Sequence, residues 1–161
     1  MVYKISSHDS VRVQRQAKGF IMDVIYQAIF KYNKKNKLSL TRILPDGNRD
    51  TSPVNLADIH RIEKKCRDFR WNESPDLSCK IGKELYDLLN GDRQTLARSL
   101  KEAGDHGEIL QLYITPEGPV SDLPFELLYK TDFLVPSDIH LVRRVSDWGR
   151  KRTIKPENRP L

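Results

Sequence analysis

The chain has 161 residues, a length that fits one domain or one large piece of a bigger one. Hydrophobic residues make up 38% and charged residues 31%, so the chain is polar but has enough apolar side chains to build a core. No apolar stretch approaches the ~20 residues of a transmembrane helix, and the N-terminus has no apolar run of signal-peptide type. Two cysteines, Cys66 and Cys79, cannot make a disulfide framework, so we expect a reduced, cytoplasmic protein without a membrane partner.

Charge is unevenly distributed along the chain, although the formal net charge is only +6. Residues 1–50 hold ten Lys/Arg against four Asp/Glu, and residues 143–161 hold seven against two. Residues 51–142 hold eleven Lys/Arg against sixteen Asp/Glu. The sequence therefore predicts two basic ends around an acidic, folded middle.

Two dense basic runs raise the question of nucleic-acid binding, because Lys and Arg neutralise phosphates and release counterions. The first run contains Lys34, Lys35 and Lys37, and the second covers residues 150–152. Both lie in predicted loops and lack interleaved aromatic residues. We interpret them as solvated loops or linkers and keep Lys34, Lys35 and Lys37 as candidate nucleic-acid contacts.

The N-terminal third is predicted to contain a hairpin, a helix and a loop-rich stretch. Apolar residues flank a polar turn within residues 2–17, which indicates a β-hairpin. Residues 20–32 carry apolar residues at helical spacing and predict a helix, with a strand around Val24–Tyr26 as the alternative. Residues 33–53 contain proline and glycine turn signals and one short strand over Leu38–Leu44.

Three helices are predicted in the middle of the chain, over residues 55–70, 78–90 and 93–103. The first two carry apolar residues along one stripe, the pattern of a helix that packs on a core. Asp92 is the expected N-cap of the third helix and Gly104 its expected end.

Short apolar runs dominate the chain after residue 107. Ile109–Ile114 is bounded by glycine and proline, and its length favours a buried strand. Phe133–Val135 and Ile139–Val142 predict two more strands. We expect four aromatic residues of this region to belong to the core: Tyr113, Phe125, Tyr129 and Phe133.

The predicted fold is mixed α/β, with a small sheet from 109–146 packed with three to four helices and an N-terminal hairpin added. The predicted organisation has three parts. Residues 1–54 form a hairpin, helix and loop extension, residues 55–147 form the α/β unit, and residues 148–161 form a basic linker or disordered tail.

Several short motifs follow one another in a fixed order: Ile81–Leu89 (IGKELYDLL), Leu110–Ile114 (LQLYI), Leu123–Tyr129 (LPFELLY), Phe133-Leu134, and His140–Val145 (HLVRRV). This succession resembles the CHAT family, the caspase-like cysteine peptidases often found beside tetratricopeptide repeats. The resemblance covers about residues 78–146, and its specificity lies in the order of the pieces rather than in any single one.

The resemblance implies the upstream, non-catalytic part of a CHAT-type cysteine protease. Such a part is a scaffold that supports the catalytic half and receives signals from neighbouring protein modules, in settings that include bacterial defence. In the family the catalytic His and Cys lie downstream of the L-V-R-R strand, and we expect that half downstream of this sequence or in a separate chain. None of the four histidines and neither cysteine matches the family's motifs, so no catalytic residue is carried over.

Glu126 is the single charged residue in the otherwise apolar segment Leu123–Leu128 (LPFELL), so we expect it to be at least partly buried. A buried carboxylate needs a cation or several hydrogen-bond donors. Arg143 or Arg144 on the following strand is the predicted partner, which makes a structural ion pair. A general-base role for Glu126 is the alternative, but no nucleophile or metal ligand accompanies it in sequence.

Catalysis by this chain alone has little support in the sequence. His60 and Cys66 are separated by about 9 Å along one predicted helix and point to different sides, so they cannot form a dyad. Only tertiary folding could bring Cys79 to His140. No Cys/His spacing suits a metal and no phosphate loop is present, so we expect no metal and no cofactor.

The alternative function is a small protein- or nucleic-acid-interaction module that uses its basic termini.

Overall fold

The computed structural model of the chain describes residues 23–71 and 74–145. Its first three strands form an antiparallel meander of adjacent strands. They are β1 (Ile25–Tyr32), β2 (Leu38–Ile43) and β3 (Arg49–Pro53). Both connections are short, and the second contains Gly47 at a φ of +84°, a backbone conformation that glycine adopts without strain.

Three helices follow the meander: α1 (Leu56–Trp71), α2 (Pro75–Asn90) and α3 (Thr95–His106). Pro75 opens α2, where its missing N–H costs no helical hydrogen bond. Gly91 and Gly107 follow α2 and α3 with φ of +60° and +67°, so both helices end at a residue with positive φ.

Two parallel strands complete the sheet. β4 (Leu110–Thr115) pairs with β1, and β5 (Ile139–Arg143) pairs with β4. Between them lie two short 3-10 turns, Gly118–Asp122 and Phe125–Leu127. The strand order is β3-β2-β1-β4-β5, so β1 is central and β3 and β5 are the edges.

The two faces of the sheet differ in burial. Tyr26, Ala28 and Phe30 of β1 are almost fully buried and share one core with apolar residues of all three helices. Ile25 and Ile29 alternate with them and stay partly exposed, as the two-residue period of a strand requires. We call the covered side the helix face. We call the other side the open face, because no helix within residues 23–71 and 74–145 covers it.

The predicted mixed α/β class is confirmed, but the predicted extent of the sheet is wrong. Residues 25–53 supply three of its five strands, and β1 pairs directly with β4. The predicted boundary after residue 54 therefore divides strands of a single sheet. The predicted hairpin over 2–17 and the predicted tail over 148–161 lie outside the described residues.

The predicted helix over 20–32 is wrong, because residues 25–32 form β1. This strand has apolar residues on both faces: Tyr26 and Phe30 face the helices, while Ile25 and Ile29 face the other way. Residues 25 and 29, like residues 26 and 30, are four apart, which is also the spacing along one face of a helix. The sequence pattern therefore fits both a helix and a strand, and only the pairing with neighbouring strands decides between them.

Three smaller expectations also need correction. The third helix starts at Thr95, after Gln94 in a left-handed conformation, so Asp92 is not its cap. It runs through Gly104 and ends before Gly107. Phe133–Val135 is not a strand, because Phe133 forms only an isolated bridge with Tyr129. Among the described helices, none combines the length and hydropathy that a membrane crossing requires.

Candidate functional site

On the side away from β4, β5 forms an edge of the described sheet. Asp138 O accepts a hydrogen bond from Leu110 N (3.1 Å), and Arg144 N donates to Ile114 O (2.7 Å). Even-numbered residues therefore make the bonds to β4, and the residues between them direct N–H and C=O groups outward. Within the described part of the chain no strand pairs with the outward groups of Leu141. Such an edge is a template for an added strand.

A groove of about 330 Å³ lies alongside this edge. Its walls combine apolar side chains with a few polar groups: Val135, Pro136, Ile139, Leu141, Glu126, His140 and Arg143. An extended segment that adds to a sheet edge needs both features, since the strand supplies main-chain hydrogen bonds and a groove accepts alternate side chains. The arrangement is therefore suited to binding a strand.

Arg143 joins β5 to the loop that precedes it. Its guanidinium donates to both carboxylate oxygens of Glu126, from Nε to Oε1 at 3.0 Å and from Nη2 to Oε2 at 2.8 Å. It also donates to the carbonyl oxygens of Ser121 (3.2 Å) and Leu123 (2.6 Å). Its Cζ lies 5.6 Å from the ring centroid of Phe125. One planar cation thus holds the LPFELL segment against the end of β5.

Glu126 is more exposed than its sequence context predicts, with 55% of its side chain accessible. Partial desolvation raises the pKa of this carboxyl, but the hydrogen bonds and charge of Arg143 outweigh it and leave the pKa below its ordinary value. A general base that works near neutral pH needs the opposite shift. The site therefore favours the structural role of Glu126.

Arg144, the other predicted partner of Glu126, lies on the open face. Its Cζ is 4.1 Å from the ring centroid of Tyr113, and its Nη1 donates to Gln27 Oε1 at 3.3 Å. Successive residues of an extended chain point to opposite faces, so Arg143 and Arg144 cannot both reach the LPFELL segment. Tyr113 is likewise on the open face, half-buried, and not in the core as predicted.

The cysteines and histidines considered for catalysis lie apart. His60 is exposed on α1, and Cys66 is half-buried on the same helix, where burial raises the pKa of its thiol. Cys79 belongs to α2, which covers the helix face, whereas His140 points to the open face with its Nδ1 3.2 Å from the amide nitrogen of Gln111. Within residues 23–71 and 74–145 no three His, Cys, Asp or Glu side chains are grouped closely enough to hold a metal ion.

The candidate nucleic-acid lysines lie together in the exposed turn between β1 and β2. Asn33 Oδ1 accepts hydrogen bonds from the backbone N of Lys35 (2.8 Å) and Lys37 (3.0 Å), so the Asn33 side chain holds the turn. Lys34 completes the group. The turn follows the carboxyl end of β1, which is also the carboxyl-end side of β4 and β5.

Sequence reasoning missed Arg42, the one buried cation among the described residues. It donates to Leu88 O (2.9 Å) and Leu89 O (2.7 Å) at the end of α2, and to Asp50 (3.1 Å) and Ser52 (2.8 Å) on β3. The sequence did indicate that Arg42 is buried, because the alternation of residues along β2 places it on the same face as the buried leucines of that strand.

Comparison of the chain with protein-family models, with curated proteins and with solved structures found no match in any of the three. The resemblance to the CHAT family therefore stays a prediction that depends on the order of the short motifs.

Proposed function

We propose that this chain is the upstream, non-catalytic scaffold of a CHAT-type caspase-like cysteine protease. It acts in the cytoplasm, in a bacterial defence or signalling system, and binds a catalytic half that is downstream or a separate chain. The observation that supports this proposal is that the ordered motifs contact one another at one side of the sheet.

The first and third motifs pack through Gly82. A Cβ at this position would lie 1.9 Å from the carbonyl oxygen of Leu127 and 2.7 Å from Cβ of Tyr129. The backbone N of Tyr129 also donates to the carbonyl oxygen of Gly82 at 3.3 Å. Only glycine allows α2 to approach the LPFELL segment this closely, so the glycine and the segment form one packing unit.

The remaining motifs meet at β5. The LQLYI and HLVRRV segments are the neighbouring parallel strands β4 and β5, and Arg143 connects the second of them to Glu126. This geometry supports a scaffold role, because the motifs pack into one unit that presents the groove and the edge of β5, which no described strand covers. In the proposed assembly, a strand of the catalytic half pairs with β5, and that half supplies the His and Cys.

The experiment begins with the reading frame that follows or neighbours this coding sequence. The proposal expects it to encode an apolar strand, a His motif and a Cys. The encoded polypeptide is then purified with and without this chain, and its cysteine is labelled with a thiol-reactive peptide probe. We expect labelling to depend on the complex. No such frame, or equal labelling of the polypeptide alone, would overturn the proposal.

Edge variants test the route of assembly. Leu141→Pro removes an outward N–H of β5, and Val135→Glu places a charge in the groove without touching the strand. We expect each to lower co-purification at least tenfold. Thr51→Pro is the matched control on the other edge strand, β3, and should leave assembly unchanged. Urea unfolding of each variant separates lost assembly from lost folding.

A further inference from the structure

The open face combines positive charge with an absence of acidic strand residues. Asp50 is the single Asp or Glu in the five described strands, and it points to the helix face and pairs with Arg42. The open face instead carries the exposed cations Lys31, Arg49 and Arg144. Arg49 and Arg144 take part in none of the ion pairs formed within residues 23–71 and 74–145.

The turn between β1 and β2 extends this positive surface. Lys34, Lys35 and Lys37 are exposed beside the carboxyl ends of β1 and β4. Glu117, which follows β4 closely in sequence, accepts a hydrogen bond from the backbone N of Tyr32 at 2.9 Å. The surface is thus complementary to a polyanion that runs across the sheet toward this turn.

A stacking platform lies on the β4–β5 side of the same face. The guanidinium of Arg144 covers the ring of Tyr113, with Cζ 4.1 Å from the ring centroid. A guanidinium plane stacks on nucleobases as an aromatic ring does. Gln27 lies beside Tyr113 on β1 and Gln111 lies two residues before it on β4, and their amide groups suit base edges or 2′-hydroxyls.

We propose that the open face, together with residues 33–37, binds single-stranded RNA. Lysines of the turn hold the phosphates, and unstacked bases lie on the Arg144–Tyr113 platform. A single strand fits better than a duplex, because the face is a sheet about 19 Å wide and, within residues 23–71 and 74–145, offers no projecting element for a groove. This inference is independent of the proposed function, which uses the edge of β5.

The test measures fluorescence anisotropy of a labelled RNA of about 12 nucleotides, within the site sizes of small single-strand-binding modules. The full chain is titrated over a salt series. We expect the triple variant Lys34→Gln, Lys35→Gln, Lys37→Gln to reduce the slope of log affinity against log salt by about 2, at ~0.7 per phosphate contact. Arg144→Gln should lower the affinity about tenfold through lost stacking.

Two matched triple variants remove the same charge elsewhere. Lys64, Arg67 and Lys80 are exposed on α1 and α2, and residues 150–152 form the second basic run. Changing either set to Gln should leave the slope within about 0.7, the share of one phosphate contact. A loss equal to that of the turn variant would overturn the proposal, because general charge or the tail would then explain binding.

Other occupants of the open face give different results. The same sequence as DNA, or as an RNA duplex, should bind more weakly, and equal or tighter binding of either would overturn the proposal. So would the absence of any anisotropy change. Sedimentation of the chain alone completes the test, because a dimer that Arg144→Gln dissolves would assign the open face to a second copy.

Discussion

Arg42 and Arg143 lie on opposite sides of the central strand and make similar contacts in different surroundings. Each pairs with one carboxylate and donates to two backbone carbonyl oxygens. The Arg42 side chain is 4% exposed and its partner Asp50 16%, whereas Arg143 is 33% exposed and Glu126 55%. The two ion pairs therefore differ mainly in their access to water.

The contrast shows that the two arginines stabilise different parts of the structure near the two edges of the sheet. Arg42 satisfies carbonyl groups that the end of α2 leaves without helical partners, and the edge strand beyond it carries Pro53. Arg143 holds a loop beside the β5 edge, where no described strand pairs with the outward N–H of Leu141. Arg42 is thus enclosed between α2 and β3, whereas Arg143 borders the groove beside β5.

The largest expected effect is at Arg42. Arg42→Met removes the donor of Leu88 O and takes one donor from Leu89 O and one from Asp50, which keep only Tyr26 and the exposed Arg93, so we expect a loss of about 3–5 kcal/mol in the free energy of unfolding. Arg42→Lys should recover less than half, because an ammonium group cannot reproduce the planar set of donors. Urea unfolding provides the measurement. An equal loss of unfolding free energy in Arg143→Met would contradict the conclusion that the two ion pairs differ in their access to water.

Gly82 tests the packing on the β5 side. Gly82→Ala forces a Cβ against the backbone of Leu127, and we expect a loss of about 1–3 kcal/mol in the free energy of unfolding. Gly104→Ala is the control, because a Cβ at that helical position meets nothing within 4 Å. Its higher helix propensity should add about 0.5–1 kcal/mol. If urea unfolding showed that both variants change the free energy of unfolding in the same direction, this would contradict the close approach of α2 to Leu127.

Tyr26 provides a pH-dependent test of the buried contacts at the end of α2. Its hydroxyl donates to Leu89 O or shares a proton with Thr95 Oγ1, both at 2.8 Å, so Tyr26→Phe should cost about 1 kcal/mol at pH 7. Burial raises the pKa of Tyr26 to about 12. The unfolded tyrosine ionises near pH 10, so this contribution is complete below pH 10 and declines as the pH rises toward 12.

Urea unfolding at pH 7 and pH 11 compares wild type with Tyr26→Phe. The wild type should lose more stability between the two pH values than the variant, which has no hydroxyl to ionise. An equal loss in both proteins would show that Tyr26 does not retain its proton in the fold.

The smallest effect is expected at the exposed pair. A double-mutant cycle with Glu126→Gln and Arg143→Met should give a coupling of about 0.5–1 kcal/mol, which water and salt screen. The lowered pKa of Glu126 means that the contribution is present above pH ~4.3 and disappears as the pH falls below the folded-state pKa. Arg144→Met is the control, and a comparable coupling between it and Glu126 would refute the assignment.

The helices and β4 could be predicted because their patterns are local. α1 and α2 each carry apolar stripes, and Leu110–Thr115 is a compact apolar run between glycine and proline. The partnership of Glu126 could also be anticipated, since a carboxylate among apolar residues requires a cation. The choice between Arg143 and Arg144 could not, because it depends on which face of the sheet each residue takes.

β1 and β3 could not be predicted from local patterns, although the predicted strand over Leu38–Leu44 is confirmed as β2. β1 has apolar residues on both faces, so its period is ambiguous. β3 (Arg49–Pro53) contains no large apolar residue, and its place in the sheet depends on pairing with β2 and on the contacts of Asp50 and Ser52 with Arg42. Such long-range causes are invisible in a window of adjacent residues.

The central position of β1 also sets an order of events during synthesis. The meander of β1 to β3 closes through short turns and can form early, but β1 keeps an unpaired side until Leu110–Thr115 has been made. At bacterial or eukaryotic translation rates this interval lasts on the order of ten seconds. The nascent chain then exposes the apolar strand IYQAIFKY with a free edge, the state in which β-rich intermediates aggregate. Chaperone demand during expression should therefore fall once Leu110–Thr115 has emerged from the ribosome and can pair with β1.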